Sequence, residues 1–343
     1  MTHDILDDIL AQPAMLHAAA AKHLAPASEI HAAAALIRTR QPRRIILSGM
    51  GSSHFSAYPA FLQMLAGGLP VSWVELAELL HYGGKFGADT MLIIISQSGE
   101  TIEARRLLTE RAIEGPVIAI SNATQSTLAR HADVLVPTHA GPELSVATRT
   151  YTASLLALLL LAELANGTDA DTAAREIADT LVAVERVTAA APAQIAALPP
   201  HWFDAGPLML VGRGPSLATA LSGALLLKET AKLPAEGMSG AQFRHGPLEI
   251  AGPGQRTIIC AAPGATLAFD RIMAAELRRY GGHTLLLGPL DPEDDGDMII
   301  VPPIAAMPLA AIVPLQLLAR EIAVRFGIAP GSFRYIGKVT STE

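Results

Sequence analysis

One cysteine, Cys260, occurs in 343 residues, which excludes an internal disulfide and any metal cage built from several thiolates. Its place in the apolar run Thr257-Ile-Ile-Cys260 reads as an inert core thiol. Aromatic residues make up 4% of the chain and charged residues 17%, and no run of lysine or arginine occurs, which argues against a nucleic-acid partner. With a net charge of −7, a small anionic ligand would have to be held by local donors, because the overall field repels it. The opening Met-Thr-His-Asp-Ile-Leu-Asp-Asp is acidic where a secretory leader carries positive charge. The longest apolar run, Leu155 to Ala162, falls short of the ~20 residues that a membrane span needs. The expectation is a soluble, cytoplasmic protein with no membrane partner.

What the chain does have is a motif stated twice. Residues 45–57 read Ile-Ile-Leu-Ser-Gly-Met-Gly-Ser-Ser-His-Phe-Ser-Ala, and residues 208–220 read Leu-Met-Leu-Val-Gly-Arg-Gly-Pro-Ser-Leu-Ala-Thr-Ala. Each is an apolar strand entering Gly-x-Gly-x-Ser and then a helical pattern, the opening of a parallel α/β unit. From Gly49 to Gly212 the offset is 163 residues, and 343 residues accommodate about two domains of ~150 residues. A second echo sits near the same offset. Met91-Leu-Ile-Ile-Ile95 leads into Ser96-Gln-Ser-Gly-Glu-Thr101, whereas Thr257-Ile-Ile-Cys260 leads into Ala261-Ala-Pro-Gly-Ala-Thr266. The first copy offers hydroxyls where the second offers Ala261 and Pro263, so one half reads as anion-binding and the other as free for a different task.

An Ala-rich helical stretch, Asp4 to Arg40, is interrupted near Pro13 and Pro26. Strands are expected near 44–48, 70–74, 91–95, 116–120 and 133–136, then near 207–211, 257–261, 283–287 and 298–301, with helical patterns between them. Such alternation implies parallel sheets covered on both faces, and the expected fold is α/β with two tandem, flavodoxin-like, doubly wound domains. We expect N-terminal helices and a first domain over 1–165, a helical connector over 166–200, a second domain over 201–326 and a non-helical tail over 327–343.

Ligands of open parallel sheets sit at the carboxyl ends of the strands, where both Gly-Ser loops fall. Gly51, Ser52 and Ser53 begin one helix, while Ser96, Gln97, Ser98 and Thr101 surround the start of the next. Helix N-termini carry unpaired N–H groups and a positive dipole end, so they and five hydroxyls could hold a phosphate without many lysines. Taken singly, each of these residues is an ordinary helix cap.

The segment 96–101, together with Leu225 to Leu248 (Leu-Leu-Leu-Lys-Glu-Thr-Ala-Lys-Leu-Pro-Ala-Glu-Gly-Met-Ser-Gly-Ala-Gln-Phe-Arg-His-Gly-Pro-Leu), resembles the double sugar isomerase (SIS) domain of glucosamine-6-phosphate synthase. The likeness extends to Ile9–Pro13, Glu143–Tyr151 and the ending Gly337-Lys-Val-Thr-Ser-Thr-Glu343, and so spans nearly the whole chain. It implies that Glu229 shuttles a proton between C1 and C2 of the opened sugar. It implies also that His245 opens the ring from the neighbouring subunit of a homodimer, and that Lys338 closes over the sugar with the tail and can form an imine with a keto substrate. Gly51, Ser52, Ser53, Ser96, Gln97, Ser98 and Thr101 then bind phosphate and hydroxyls, and Val146 touches the sugar through its backbone. The chemistry wants these groups: moving a proton beside a carbonyl takes one placed carboxylate, ring opening takes an acid–base near neutrality, and a lysine offsets developing enolate charge. In isolation, Glu229 and Lys338 read as solvated charges and His245 as a loop residue.

Departures from the family pattern narrow the activity. The chain begins directly with the isomerase half, so no ammonia source of its own is expected. The family's lysine three residues before the glutamate is Leu226 here, and its Val-Ala-Ser-Thr-Lys is Val146-Ala147-Thr148-Arg149-Thr150. The ending Lys338-Val-Thr is more like stand-alone members, including glucosamine-6-phosphate deaminases. The expected reaction converts glucosamine 6-phosphate to fructose 6-phosphate and ammonia with neither metal nor organic cofactor, because the substrate's own carbonyl or imine is the electron sink. Alternatives are a galactosamine- or tagatose-phosphate deaminase or isomerase, a deglycase for phosphorylated sugar–amino-acid adducts, an isomerase acting like that of the synthase, and a non-catalytic sugar-phosphate sensor.

Overall fold

The computed structural model describes residues 4–290, 294–304 and 306–340. In chain order, α1 (Ile5–Leu10), α2 (Gln12–His23) and α3 (Glu29–Arg40) lead to β1 (Arg44–Gly49), α4 (Gly51–Ser56), α5 (Tyr58–Ala66), β2 (Val71–Trp73) and α6 (Leu76–Tyr82). β3 (Thr90–Ile95), α7 (Ile102–Glu110), β4 (Val117–Ser121), α8 (Thr127–His131), β5 (Val134–Pro137), α9 (Arg149–Ala165) and α10 (Ala170–Ala196) follow. β6 (Leu208–Gly212), α11 (Ser216–Ala231), β7 (Ala235–Ser239), α12 (Gly240–Arg244), β8 (Arg256–Cys260), α13 (Leu267–Arg279), β9 (His283–Gly288), β10 (Asp297–Ile300) and α14 (Met307–Arg325) complete the chain.

The chain divides into two compact units. Ala14–Ile177 with Phe333–Glu343 form the first-sheet unit, and Met1–Pro13 with Ala178–Ser332 form the second-sheet unit. The first sheet has the order β2-β1-β3-β4-β5 and the second β10-β9-β8-β6-β7, all strand pairs being parallel. Reversed, the second order is β7-β6-β8-β9-β10, so the two sheets share one doubly wound topology. The duplication read in the sequence is a duplication of fold.

Strands covered on both faces need no polar side, which is why they are continuous apolar runs. On one face of the first sheet Ile46, Leu92, Ile94, Val117 and Ala119 pack against Leu76, Leu79 and Leu80 of α6, Ala104 and Leu107 of α7 and Leu128 of α8. α9 packs with α3, α4, α5 and β4, and is buried on nearly every side, as an all-round apolar helix must be. In the second sheet Met209, Val211, Ile259 and Leu286 pack against Met273, Ala274 and Leu277 of α13 and Phe243 of α12. Cys260 is fully buried in β8, where burial pushes its thiol up, as an inert core thiol requires.

One strand lies outside the sequence expectation: Ala235-Glu-Gly-Met-Ser239 is poor in β-formers, yet as β7 it pairs with β6 from Leu208↔Ala235 to Gly212↔Ser239 as an edge strand. The helical interruption expected near Pro13 falls at Ala11, and Pro13 occupies the first turn of α2, where a missing N–H costs nothing. α14 is long and apolar enough to cross a membrane, but 83% of its apolar window is buried inside the fold, largely against α11. The tail from Gly327 has neither helix nor strand over its described residues; Ser341 to Glu343 lie outside them.

Candidate active site

The order β2-β1-β3 reverses direction between β1 and β3, and the switch point of a doubly wound sheet is where ligands enter. Gly49 is in register with Ile95, so the loops leaving the two strands emerge side by side. A side chain at Gly49 would bring a Cβ within 2.9 Å of the Ile95 carbonyl and 3.0 Å of the His54 nitrogen, so glycine is what lets α4 turn so tightly onto the sheet. Gly51 has φ of 52°, the left-handed conformation glycine tolerates, and Ser52 and Ser53 follow it half-buried in the first turn of α4.

Across the switch point, Ser96 is buried and Gln97 and Ser98 are half-buried. Ser96 Oγ accepts from the Gly99 amide at 3.1 Å and lies 3.4 Å from Thr101 Oγ1, and Ser98 Oγ accepts from the Glu100 amide at 3.2 Å. A hydroxyl that accepts an amide still has its own proton to donate, so the two amide bonds shape the loop without using up its donors, while the Ser96–Thr101 contact engages one hydroxyl proton. Thr101 precedes α7 without capping it through its side chain. Glu100 turns away from the crevice: its carboxylate accepts from Thr127 N at 2.6 Å and Thr127 Oγ1 at 3.0 Å at the start of α8. Beside Ser53, His54 is stacked on Trp73 with centroids 4.0 Å apart, and burial lowers its pKa to about 4, so it is neutral.

Two more segments of the first-sheet unit join these loops. The β5–α9 loop carries Val146, which is buried, and Glu143, whose carboxylate accepts from the amides of Thr148 at 2.9 Å and Thr150 at 3.1 Å and from their hydroxyls. Arg149 donates to the carbonyls of Ala140 at 2.6 Å and Pro142 at 3.4 Å, so the departure at this position braces the loop. Lys338 of the tail donates to Glu143 Oε2 at 2.7 Å and to the Ser145 carbonyl. The Ile102 amide, first of α7, donates to the Thr340 carbonyl at 3.2 Å. Glu143, Thr148 and Thr150 were missed as individual residues; the only sequence signal was a carboxylate placed shortly before a helix.

The first-sheet unit thus contains Gly51, Ser52, Ser53, Ser96, Gln97, Ser98, Thr101, Val146 and Lys338, and the second-sheet unit contains Glu229 and His245. Glu229 is half-buried in the last turn of α11, and its carbonyl accepts from Lys232 Nζ. Leu226, one turn earlier, is buried, so the family's extra amine is replaced by core. His245 is exposed at the end of α12, before Gly246 with φ of 129°. Among the described residues, no cluster of three or more histidine, cysteine or carboxylate side chains suits a metal ion.

The second sheet's own switch point is built differently. Arg213, after β6, donates to Asp270 Oδ1 of α13 at 2.9 Å and to the Gly240 carbonyl at 3.1 Å. Asp270 is wholly buried, and burial pushes its carboxyl up to about 6 against the pull of Arg213.

Two doubly wound parallel sheets in tandem, one with hydroxyl-bearing loops at its switch point, match the two-domain SIS fold. Residues 39–164 match the SIS domain profile, so the first-sheet unit carries a SIS domain. The chain is 34% identical over 321 residues, 88% of its length, to the isomerizing glutamine-fructose-6-phosphate aminotransferase of Pyrococcus horikoshii, of which it covers 52%. The chain therefore spans about half the length of the curated relatives it matches. Among solved structures, it is similar to the C-terminal domain of glucosamine-fructose-6-phosphate aminotransferase from Francisella tularensis, with TM-score 0.84, 21% identity and coverage of 96% of this chain and 98% of that one. It is similar also to glucosamine-6-phosphate deaminase from Thermotoga maritima, with TM-score 0.78, 18% identity and coverage of 97% and 98%. At these identities the two structures speak for the fold.

Proposed function

We propose that the chain is a cytoplasmic phosphosugar isomerase that deaminates glucosamine 6-phosphate to fructose 6-phosphate and ammonia. The observation that carries this reading is the crevice between β1 and β3, where two hydroxyl-rich loops meet the tail segment holding Lys338. In this reading the sugar's phosphate lies on the hydroxyls and amides of residues 51–53 and 96–101. His245, contributed by the second protomer of a homodimer, takes the proton from O1 and returns one to the ring oxygen. Its exposure on its own chain supports a role in the partner's site. Glu229 then removes the proton from C2 of the open aldehyde and delivers it to C1, while one proton leaves the amine nitrogen and O1 gains one, so that a C2 imine and a C1 alcohol result. Water adds to the imine carbon and ammonia leaves. Lys338 places positive charge beside the oxygen that becomes enolate-like.

The Pyrococcus relative's name favours a second reading, amination of fructose 6-phosphate with nitrogen supplied from elsewhere. Leu226 weighs against it, because a buried leucine fills the place of the amine found in the synthase. The deciding experiment supplies purified protein with glucosamine 6-phosphate alone, with galactosamine 6-phosphate in parallel, and measures ammonia and ketose phosphate. Release of both products from the first substrate is the expected result. Activity only on the second would move the assignment to the galactosamine series, and silence on both would reject the deaminase in favour of the deglycase and sensor readings.

A further inference from the structure

Glu143 has more partners than a helix cap needs. Its side chain is 0% exposed, a costly place for a carboxylate unless donors surround it. Four donors are local: the amides and hydroxyls of Thr148 and Thr150, at the N-terminus of α9, whose dipole also favours negative charge. These hold Glu143 in place whatever the tail does. The fifth donor comes from 195 residues away: Lys338 Nζ at 2.7 Å on Oε2, the oxygen that otherwise takes only the Thr150 hydroxyl. The Ser145 carbonyl is a second acceptor for the same amine, which fixes its direction as well as its position. Two residues on, Thr340 gives its carbonyl to the Ile102 amide. The short span from Lys338 to Thr340 is therefore fastened to the β5–α9 loop and to the start of α7, which follows the crevice loop 96–101.

We propose that Glu143 is the latch of the C-terminal tail and the positioning residue for Lys338: a preformed carboxylate receptor on the first-sheet unit that docks the lysine before any sugar is bound. Its catalytic consequence rests on the reading of Lys338 as an active-site group, but the docking itself does not. Glu143 touches no substrate in this scheme; it acts through the amine it holds. The Thr148 and Thr150 hydroxyls keep the carboxylate oriented, so the threonines of the altered Val-Ala-Thr-Arg-Thr segment belong to the latch.

The test labels amines in the full-length, ligand-free protein with acetic anhydride and follows Lys338 by mass spectrometry, with Lys22, Lys85 and Lys228 as internal controls. Glu143→Gln should speed acetylation of Lys338 roughly tenfold or more, the loss expected for a charge-assisted hydrogen bond, with the controls unchanged and Glu143→Asp intermediate. Tryptic cleavage after the exposed Arg334 should accelerate in parallel. In turnover, Glu143→Gln should lower kcat more than it raises KM, and should cost little further in a Lys338→Met background. Wild-type acetylation of Lys338 in a Glu143→Gln chain that melts normally would overturn the proposal. So would equal kcat losses with and without the lysine. Should Glu143→Gln fail to fold, Lys338→Met decides: it leaves the helix cap intact, and an unchanged cleavage rate after Arg334 would refute the docking. Labelling and cleavage need no substrate, so they judge the latch even if the wild-type chain turns over no hexosamine phosphate, a result that would count against the function reading alone.

Discussion

In the first sheet the loops leaving the two central strands carry Ser52, Ser53, Ser96, Ser98 and Thr101, whereas in the second Pro215, Ala261 and Pro263 replace three of these hydroxyls, Ser216 and Thr266 keep the other two, and Arg213 is added. Both crevices lie at the same switch point of the same topology, so both begin with a similar electrostatic opportunity: strand ends, amides and helix N-termini that favour an anion. The second unit fills this place from within, pairing Arg213 with the buried Asp270 of α13. The first unit lines it with the hydroxyls of Ser52, Ser53, Ser96, Ser98 and Thr101. On the function proposed, the anion site of the second half is retired by supplying its anion covalently, and that half carries Glu229 and His245 instead.

The largest expected effect separates chemistry from binding. Glu229→Gln should lower turnover by ~10²–10⁴-fold, the usual worth of a positioned acid–base, while phosphosugar affinity measured by calorimetry stays near wild type. Near-normal turnover would remove Glu229 from the mechanism. Next, Arg213→Met leaves Asp270 buried without its partner and should cost ~3–5 kcal/mol in denaturant unfolding, whereas Arg213→Met with Asp270→Leu should recover most of that. Failure of the double variant to recover would mean that the pair does more than neutralise itself. A smaller effect is expected at the open crevice: Ser98→Ala should weaken binding of any phosphosugar roughly tenfold, and Ala261→Ser in the sister loop should leave it unchanged. Equal effects of the two would erase the contrast between the crevices.

Local patterns were legible, and long-range pairs were not. Apolar runs placed nine of the ten described strands, and the inner ones are continuous because a strand buried on both faces must be apolar along its length. β7 escaped because an edge strand following Pro234 forms on the hydrogen bonds that β6 offers, with little propensity of its own. The segment Ser96-Gln-Ser-Gly-Glu-Thr101 declared its loop because its hydroxyls, its glycine and the helix it starts are contiguous. Arg213 and Asp270 are 57 residues apart and Glu143 and Lys338 are 195 apart, so neither pair leaves a period or spacing to read. Arg213 was visible as a change between the copies, but its meaning depended on a carboxylate that only folding brings to it.

The pH dependence is the sharpest test of the contrast, because acid should act on the two units with opposite sign. In the first-sheet unit burial lowers the pKa values of His23 and His54 from 6.5 to about 4. Between these values the unfolded chain binds protons that the folded chain refuses, so their contribution to stability is present above pH 6.5 and lost as pH falls towards 4. In the second-sheet unit Asp270 is raised from 3.8 to about 6, chiefly by burial. Here the folded chain holds a proton that the unfolded chain has released, so the contribution is present below pH 3.8 and lost as pH rises through 6. His54→Phe, which keeps an aromatic ring against Trp73, should flatten the acid loss, and Asp270→Asn should remove the acid gain. Melting temperatures of the three proteins at pH 7, 6, 5 and 4 measure both slopes as differences from wild type, which cancels the other carboxylates. Difference slopes of the same sign would mean that the two crevices do not differ in the electrostatic way proposed, whatever their loops contain.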